Sequence, residues 1–133
     1  MLRLAQTKEC ISVVNDQIGC PTLAADLAAL IMCVVEQAHT FHQMETFHFS
    51  NRGRISWYDF ACEIMRLAQL HHCAHCPILP ITTDQYPTPA TRPNFSLFDL
   101  SKTADKLHFN IPDWQNSLER VFPQIACQFS STK

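Results

Sequence analysis

The hydrophobic and polar positions of the chain follow helical spacing in five segments. Residues 1–5 read as the end of a helix, and Leu23–Val35 repeats leucine, isoleucine and valine every three or four residues. Alanines fill much of that second segment, so we expect a helix that is apolar on more than one face and packs between two layers. Trp57–Ala68 has a narrower apolar stripe. Ser101–Leu107 and the residues after Asp113 predict two further helices.

Strand spacing separates these helices. The β-branched run Cys10–Asn15, the alternating run Thr46–Ser50 and the apolar runs Ile78–Ile81 and Phe95–Phe98 each predict a short strand. Asp84–Pro93 contains three prolines, which predict a stiff, extended loop because each proline fixes its own φ and restricts the preceding residue. Helices and strands that alternate along a chain predict an α/β fold class.

Polar residues mark where the helices begin. Thr22 is predicted to cap the alanine-rich helix, and Ser56 with Asp59 approximates a capping box for the next one. Ser101 and Asp113 are the predicted caps of the last two helices.

Length and composition limit the possible classes of protein. A chain of 133 residues is long enough for one domain with one core, which we expect over residues 1–129, followed by a polar tail at 130–133. The net charge is −2 and the basic residues are scattered, so no nucleic-acid partner is expected. The longest apolar stretch, Leu27–Val35, is too short for a membrane span. Seven cysteines, an odd number, favour reduced thiols and a cytoplasmic protein.

Four residues are candidates for binding a ligand. Asp16 and Gln17 follow the first predicted strand, and in open α/β sheets ligands bind outside the carboxyl ends of strands. Arg92 can bind a diphosphate through two parallel hydrogen bonds, and Tyr86 can stack at the rim of a pocket. Structural alternatives stay open: the Asp16 turn can satisfy only its own backbone, Arg92 can be solvated, and Tyr86 can serve packing. Both tryptophans are predicted to be core residues.

A histidine-rich segment, His71–Cys76, raises the question of a metal. Cys73 and Cys76 have the spacing of two zinc ligands, but a closed zinc site usually needs a second pair, and the chain has no second Cys-x-x-Cys. They are weak candidates, and a solvated loop is the favoured interpretation.

Three local patterns, Asp16–Thr22, Ser56–Phe60 and Tyr86–Pro93, occur in fixed order. Together they resemble the C-terminal, substrate-binding part of the dTDP-4-dehydrorhamnose reductases, which belong to the extended short-chain dehydrogenase group. The resemblance implies that the N-terminal Rossmann part is absent from this sequence. Cys20 stands where the family usually has serine, and Thr91 stands where it usually has the first of two arginines.

The resemblance implies an activity that this chain is expected to lack by itself. The family transfers a hydride from NADPH or NADH to dTDP-4-dehydro-L-rhamnose and gives dTDP-L-rhamnose. Its Tyr-x-x-x-Lys pair does not occur here, since Cys62 follows Tyr58 at that spacing and Ala90 follows Tyr86. With two glycines in the chain, a glycine-rich cofactor loop is impossible. No catalytic or cofactor-binding residue is therefore expected.

The expected partners follow from the same resemblance. The ligand would be a dTDP-sugar nucleotide bound by Asp16, Gln17, Tyr86 and Arg92. The alanine-rich helix and the strand near Phe47 would expose apolar surface that a Rossmann domain, a partner subunit or a second copy of the chain covers. Two other functions stay open: a non-catalytic regulatory or scaffold subunit with a reductase-like body, and a small zinc module.

Overall fold

Helices and strands alternate along residues 1–130, the range that the computed structural model describes. The helices of this range are α1 (Leu2–Ala5), α2 (Ala24–Glu36), α3 (Trp57–Leu70), α4 (Ser101–Leu107) and α5 (Trp114–Ser130). Its strands are β1 (Ile11–Val14), β2 (Ile18–Gly19), β3 (Ile55–Ser56) and β4 (Ile78–Ile81). The predicted mixture of helices and strands is confirmed. Of the predicted polar tail, residues 131–133 lie outside the described residues.

The chain divides into two compact units. The first consists of Met1–Gly19, Arg54–Ser96 and the described part of Glu119–Lys133, and the second consists of Cys20–Gly53 and Leu97–Leu118. Each unit is therefore assembled from segments that are distant in sequence. That residues 1–129 act as one domain stays a prediction.

A parallel pair of strands lies at the centre of the first unit. β1 and β4 run in register from Ile11 opposite Ile78 to Val14 opposite Ile81, and the Asn15 N–H extends the pairing to the Ile81 carbonyl at 2.9 Å. α3 packs against both strands. Because the strands are parallel, their carboxyl ends lie at the same edge, and the loops that follow them begin there.

A second, separate pair of strands lies at β2, and the residues that follow the proline-rich loop bond to it. β2 pairs antiparallel with β3, and Ile18 also bridges Phe95. The Ile18 N–H donates to the Asn94 carbonyl at 2.8 Å, and the Ser96 N–H donates to the Ile18 carbonyl at 2.9 Å. The predicted strand Phe95–Phe98 is wrong beyond this one bridge, because β2 is only two residues long and offers no further partner.

The start of α3 agrees with its predicted capping box. The Ser56 hydroxyl oxygen accepts the Asp59 N–H at 3.0 Å, and the hydroxyl donates to the Asp59 carboxylate at 2.7 Å. The carboxylate thus bonds the cap hydroxyl and not the cap amide. Buried residues of α3 contribute to the core of the first unit: Ala61, Met65, Leu67 and Ala68.

Two of the other predicted caps are wrong. Leu23, and not Thr22, is the N-cap of α2, and its N–H donates to the Asn51 side-chain oxygen at 2.8 Å. In α4 the carboxylate of Asp99 accepts the Ser101 N–H at 2.9 Å, so Ser101 is the first helical residue. In both helices, a side chain other than that of the predicted cap residue accepts the backbone N–H at the start of the helix. Asp113 does cap α5, since it accepts the Gln115 N–H at 2.9 Å.

The predicted strand Thr46–Ser50 is also wrong. This segment has no strand partner, and the side-chain hydroxyl of Thr103 donates to the His48 carbonyl at 2.6 Å. Backbone pairing begins only at Arg52, which bridges Asp113. A side chain of α4 therefore satisfies a backbone group that a neighbouring strand would bond in a sheet.

α2 buries one face and not two. Its buried residues are Asp26 and Leu30, so the expectation that it packs between two layers is wrong for this chain. The side chains of Leu27, Ile31 and Val35 are between 40% and 60% exposed. The predicted exposure of apolar surface on this helix is therefore confirmed.

Candidate functional site

An open cleft of about 380 Å³ lies beside β1 in the first unit. Strand residues, the turn after the strand, the start of α3 and the proline-rich loop all contribute to its walls. The lining residues are Ser12, Val13, Val14, Gln17, Trp57, Tyr86, Thr88 and Arg92. The cleft thus includes residues at and after the carboxyl end of β1, where α/β sheets bind ligands.

Three of the four predicted ligand-binding residues meet in this cleft. Gln17 comes from the turn after β1, while Tyr86 and Arg92 come from the loop after β4. Tyr86 is more than half exposed, and the Thr88 hydroxyl donates to the Ala90 carbonyl at 2.9 Å within the loop. The turn and the loop therefore present polar and aromatic groups to one space, although about 70 residues of sequence separate them.

The fourth predicted residue, Asp16, is not among the lining residues. Its carboxylate accepts the Thr83 N–H at 3.1 and 3.0 Å and the Thr83 hydroxyl at 2.7 Å. The backbone bond from Thr83, followed by the bond from its hydroxyl, lowers the pKa of Asp16 below its ordinary value of 3.8. Asp16 therefore anchors the one-turn 3₁₀ helix Thr83–Gln85, which leads into the cleft loop. A direct role of Asp16 in binding stays a prediction.

The side chain of Gln17 is held by the same threonine. Gln17 is only 8% exposed, and its Nε2 donates to the Thr83 Oγ1 at 3.1 Å. Thr83 thus bonds both members of the predicted Asp16–Gln17 pair. Sequence alone gives no sign of this role, because Thr83 lies 66 positions after Gln17.

Trp57 is a site residue that the sequence prediction missed. It was predicted to be core, but its side chain is 50% exposed and lines the cleft. Trp114, predicted in the same way, is 6% exposed, which confirms a core position. The available signal was position: Trp57 is the first residue of α3, where a side chain lies at the end of the helix and not along its buried stripe.

Among the described residues, the wall of the cleft carries a single positive charge. Among the described residues that line it, Arg92 is the only ionised side chain, and none is a carboxylate. Such a lining favours an anionic ligand, because nothing in the wall competes for the guanidinium. Thr91, which the predicted resemblance places at the position of an arginine, is not part of the lining.

Cys73 and Cys76 are both buried in the first unit. The Cys73 thiol points to the Ala68 carbonyl at 3.6 Å, and the Cys76 thiol points to the Lys8 carbonyl at 3.3 Å. Burial raises the pKa of the Cys73 thiol, which disfavours the thiolate that a metal needs. Within residues 1–130, no group of three or more histidine, cysteine, aspartate or glutamate residues is arranged to hold a metal ion.

No helix within residues 1–130 is both long enough and apolar enough to span a membrane.

Known proteins are similar to this chain in sequence and fold. A family model, the RmlD substrate binding domain, matches residues 1–127. The chain belongs to the RmlD substrate-binding domain family. Its predicted resemblance to the substrate-binding part of the dTDP-4-dehydrorhamnose reductases is thereby confirmed.

Curated RmlD relatives are considerably longer than this chain. The dTDP-4-dehydrorhamnose reductase of Aggregatibacter actinomycetemcomitans is 35% identical over 125 residues, which cover 91% of this chain and 42% of the relative. The spore coat polysaccharide biosynthesis protein SpsK of Bacillus subtilis is 39% identical over 97 residues, which cover 73% of this chain and 31% of that protein. The chain thus spans about two-fifths or less of the length of these relatives.

Solved RmlD structures have the same fold. The dTDP-4-dehydrorhamnose reductase of Bacillus anthracis, crystallised in complex with NADP, matches with a TM-score of 0.81 and 34% identity, over 92% of this chain and 41% of that one. The orthologue from Clostridium acetobutylicum matches with a TM-score of 0.81 and 31% identity, over 93% and 41%. The NADP complex agrees with the cofactor predicted for the full-length family. That this chain binds no cofactor itself stays a prediction.

Proposed function

We propose that this domain binds a dTDP-sugar in the cleft of its first unit and supplies the substrate side of a dTDP-4-dehydrorhamnose reductase. The observation that carries the proposal is the meeting of Gln17, Tyr86 and Arg92 in one cleft of a member of the RmlD substrate-binding family. The cleft volume of about 380 Å³ is within the range of small-molecule sites.

Each lining group has a role that its chemistry supports. Arg92 bonds the diphosphate, because its guanidinium offers two parallel donors to anionic oxygens and stays charged at any working pH. The exposed rings of Trp57 and Tyr86 provide flat apolar faces for a pyrimidine or a sugar ring. The valines of β1 form the apolar part of the wall.

In this proposal the hydride and the proton come from a different part of the reductase. The sequence contains neither the Tyr-x-x-x-Lys pair nor a glycine-rich cofactor loop. The exposed apolar residues of α2 fit a surface that this second part covers. By itself the chain is then a binding domain without reductase activity.

Calorimetry of the purified chain with dTDP-glucose and with NADPH tests the binding proposal. We expect dTDP-glucose to bind, NADPH not to bind, and Arg92→Gln to weaken dTDP-glucose about 10- to 100-fold, since hydrogen bonds to charged groups contribute about 1.5–3 kcal/mol. Arg3→Gln is the matched control, because Arg3 is an exposed arginine of α1. NADPH uptake by this chain, or equal weakening by both variants, would contradict the proposal.

Co-expression tests whether a different part of the reductase supplies the hydride and the proton. We expect co-expression with the part of the A. actinomycetemcomitans reductase that this chain does not match to restore NADPH-dependent reduction of dTDP-4-dehydro-L-rhamnose. Ile31→Glu should prevent that restoration, because it places a charge on the exposed apolar face of α2. Gln115→Glu adds the same charge at an exposed polar position of α5 and should leave restoration intact. Reductase activity of the chain alone would refute the proposal that another part supplies the hydride and the proton.

A further inference from the structure

The side chains of Asp16, Thr83 and Gln17 form a chain of hydrogen bonds with a defined direction. The Thr83 hydroxyl is 2.7 Å from the Asp16 Oδ1 and 3.1 Å from the Gln17 Nε2. A hydroxyl has one proton to donate, so it can donate to the carboxylate or to the glutamine amide, but not to both.

The Thr83 hydroxyl donates its one hydrogen bond to the Asp16 carboxylate. Hydrogen bonds to an ionised acceptor are shorter and about twice as strong as neutral ones, and the contact with Asp16 is the shorter of the two. The Thr83 N–H donates to the same carboxylate, which holds the two groups in place. The Thr83 oxygen is therefore left as an acceptor on the side of Gln17.

This direction fixes the orientation of the Gln17 amide. Only the NH₂ group can donate to the Thr83 oxygen, so the carbonyl Oε1 is the other end of the amide. Among the described residues the Gln17 Oε1 has no hydrogen-bond partner. Every fully buried side-chain oxygen or nitrogen in residues 1–130 does have a partner, so Oε1 is not fully buried. Oε1 is thus an accessible acceptor on a residue that lines the cleft.

We infer that Asp16, acting through Thr83, sets Gln17 as a hydrogen-bond acceptor that selects a donor group of the bound nucleotide sugar. This deepens the proposed function and rests on it. Three groups of a dTDP-sugar supply such a donor, namely the imide N–H of the pyrimidine, the 3′-hydroxyl of the deoxyribose and a hydroxyl of the sugar beyond the diphosphate. Asp16 and Thr83 are positioning residues in this scheme, and Gln17 is the residue that touches the ligand.

Replacement of Gln17 by methionine removes the acceptor at nearly the same size. We expect Gln17→Met to weaken dTDP-glucose about tenfold, because a ligand donor left unpaired costs about 1–3 kcal/mol. Calorimetry with dTDP, N3-methyl-dTDP and dTDP-glucose identifies the donor. A loss for dTDP that is absent for N3-methyl-dTDP assigns the imide, whereas a loss for dTDP-glucose alone assigns a sugar hydroxyl. An equal loss for all three probes that 3′-deoxy-dTDP escapes assigns the deoxyribose hydroxyl, whereas a loss that 3′-deoxy-dTDP shares with them, or no loss for any probe, would overturn the inference.

Asp16→Asn tests the positioning without touching the cleft. An asparagine NH₂ can donate to the Thr83 oxygen. The Thr83 hydroxyl then donates to the Gln17 Oε1, and the Gln17 NH₂ faces the ligand. We expect the same loss of affinity as in Gln17→Met, and no further loss when the two changes are combined. Thr83→Val should show the same loss of affinity. Thr83→Ser should bind with native affinity, since serine keeps the hydroxyl.

Outcomes for the inference and for the proposed function are distinguishable. If Arg92→Gln weakens dTDP-glucose while Asp16→Asn and Gln17→Met bind like the native chain, the function stands and the inference is wrong. If the native chain binds none of the three probes, the proposed function is wrong and the inference fails with it. Asp16 is exposed, so the Asp16→Asn arm decides the matter even where Gln17→Met does not fold.

Discussion

The Asn51 Nδ2 donates to the Asp26 Oδ2 at 2.7 Å inside the second unit, where the two residues are 1% and 4% exposed. Ser117 donates to the same carboxylate oxygen at 2.5 Å. Asn51 also accepts the Leu23 N–H, which places it at the start of α2. A buried carboxylate in the first turn of α2 is thus held by hydrogen bonds from two other segments, and the asparagine connects it to the helix cap.

Loss of the Asn51 amide should therefore destabilise the second unit strongly. We expect Asn51→Ala to lower the free energy of unfolding by about 3 kcal/mol, because it leaves a buried carboxylate short of a donor and the Leu23 N–H without its acceptor. Urea denaturation followed by circular dichroism measures this. Asn110→Ala, at an exposed asparagine of the same unit, should stay within about 0.5 kcal/mol of the native chain. Similar costs for the two variants would refute the buried network.

Gly53 offers a second test in the same unit. Its φ is +115°, and a Cβ added there would lie 2.8 Å from the Trp114 Nε1. We expect Gly53→Ala to cost more than 1 kcal/mol, since strained backbone alone costs about 1–3 kcal/mol and the indole must also move. Gly19→Ala is the matched control, because its added Cβ meets only the Ser96 hydroxyl, at 3.2 Å. Thermal unfolding should rank the two variants clearly, and the reverse order would contradict the geometry.

Local sequence signals predicted the elements that depend on near neighbours. The strands at Ile11–Val14 and Ile78–Ile81 and the capped start of α3 were all predicted, because periodicity and capping act within a few residues. The errors occur where a distant side chain decides the local structure. Asn51 accepts the N–H of Leu23, the N-cap residue of α2, from 28 positions away, and Thr103 bonds the segment that was predicted to be a strand.

The candidate site was predictable to the extent that its residues follow strand ends or lie on a rigid loop. Gln17, Tyr86 and Arg92 were found because strand ends and rigid loops place side chains at ligand crevices. Thr83 was missed because its role depends on hydrogen bonds to residues more than 60 positions earlier. Trp57 was missed because an apolar side chain on an amphipathic helix predicts burial unless its position at the helix end is considered.

The two tryptophans should respond differently to mutation and to ligand. We expect Trp57→Ala to cost less than about 1 kcal/mol of stability, because the side chain is half exposed, whereas Trp114→Ala should cost about 3–5 kcal/mol. Acrylamide should quench the fluorescence of Trp57 and hardly that of Trp114. Saturation with dTDP-glucose should protect Trp57 from acrylamide if it lines the binding site. Protection of Trp114 alone would place the ligand elsewhere.

The Asp16–Thr83 contact predicts a dependence of stability on acid pH. Hydrogen bonds from Thr83 lower the pKa of Asp16 in the folded protein below the ordinary value of 3.8. A carboxyl group with a depressed folded pKa contributes stability that is fully present above its unfolded pKa and is lost as the pH falls through the folded pKa. We therefore expect the native chain to be more stable than Asp16→Asn at neutral pH, with the difference constant down to about pH 4 and shrinking below it. Urea midpoints of the two proteins across this range measure the effect.

Thr83→Val keeps the backbone bond but removes the hydroxyl, so its difference in stability from the native chain should shrink over the same pH interval. A difference that grows as the pH falls would show that the Asp16 carboxylate is not stabilised by Thr83.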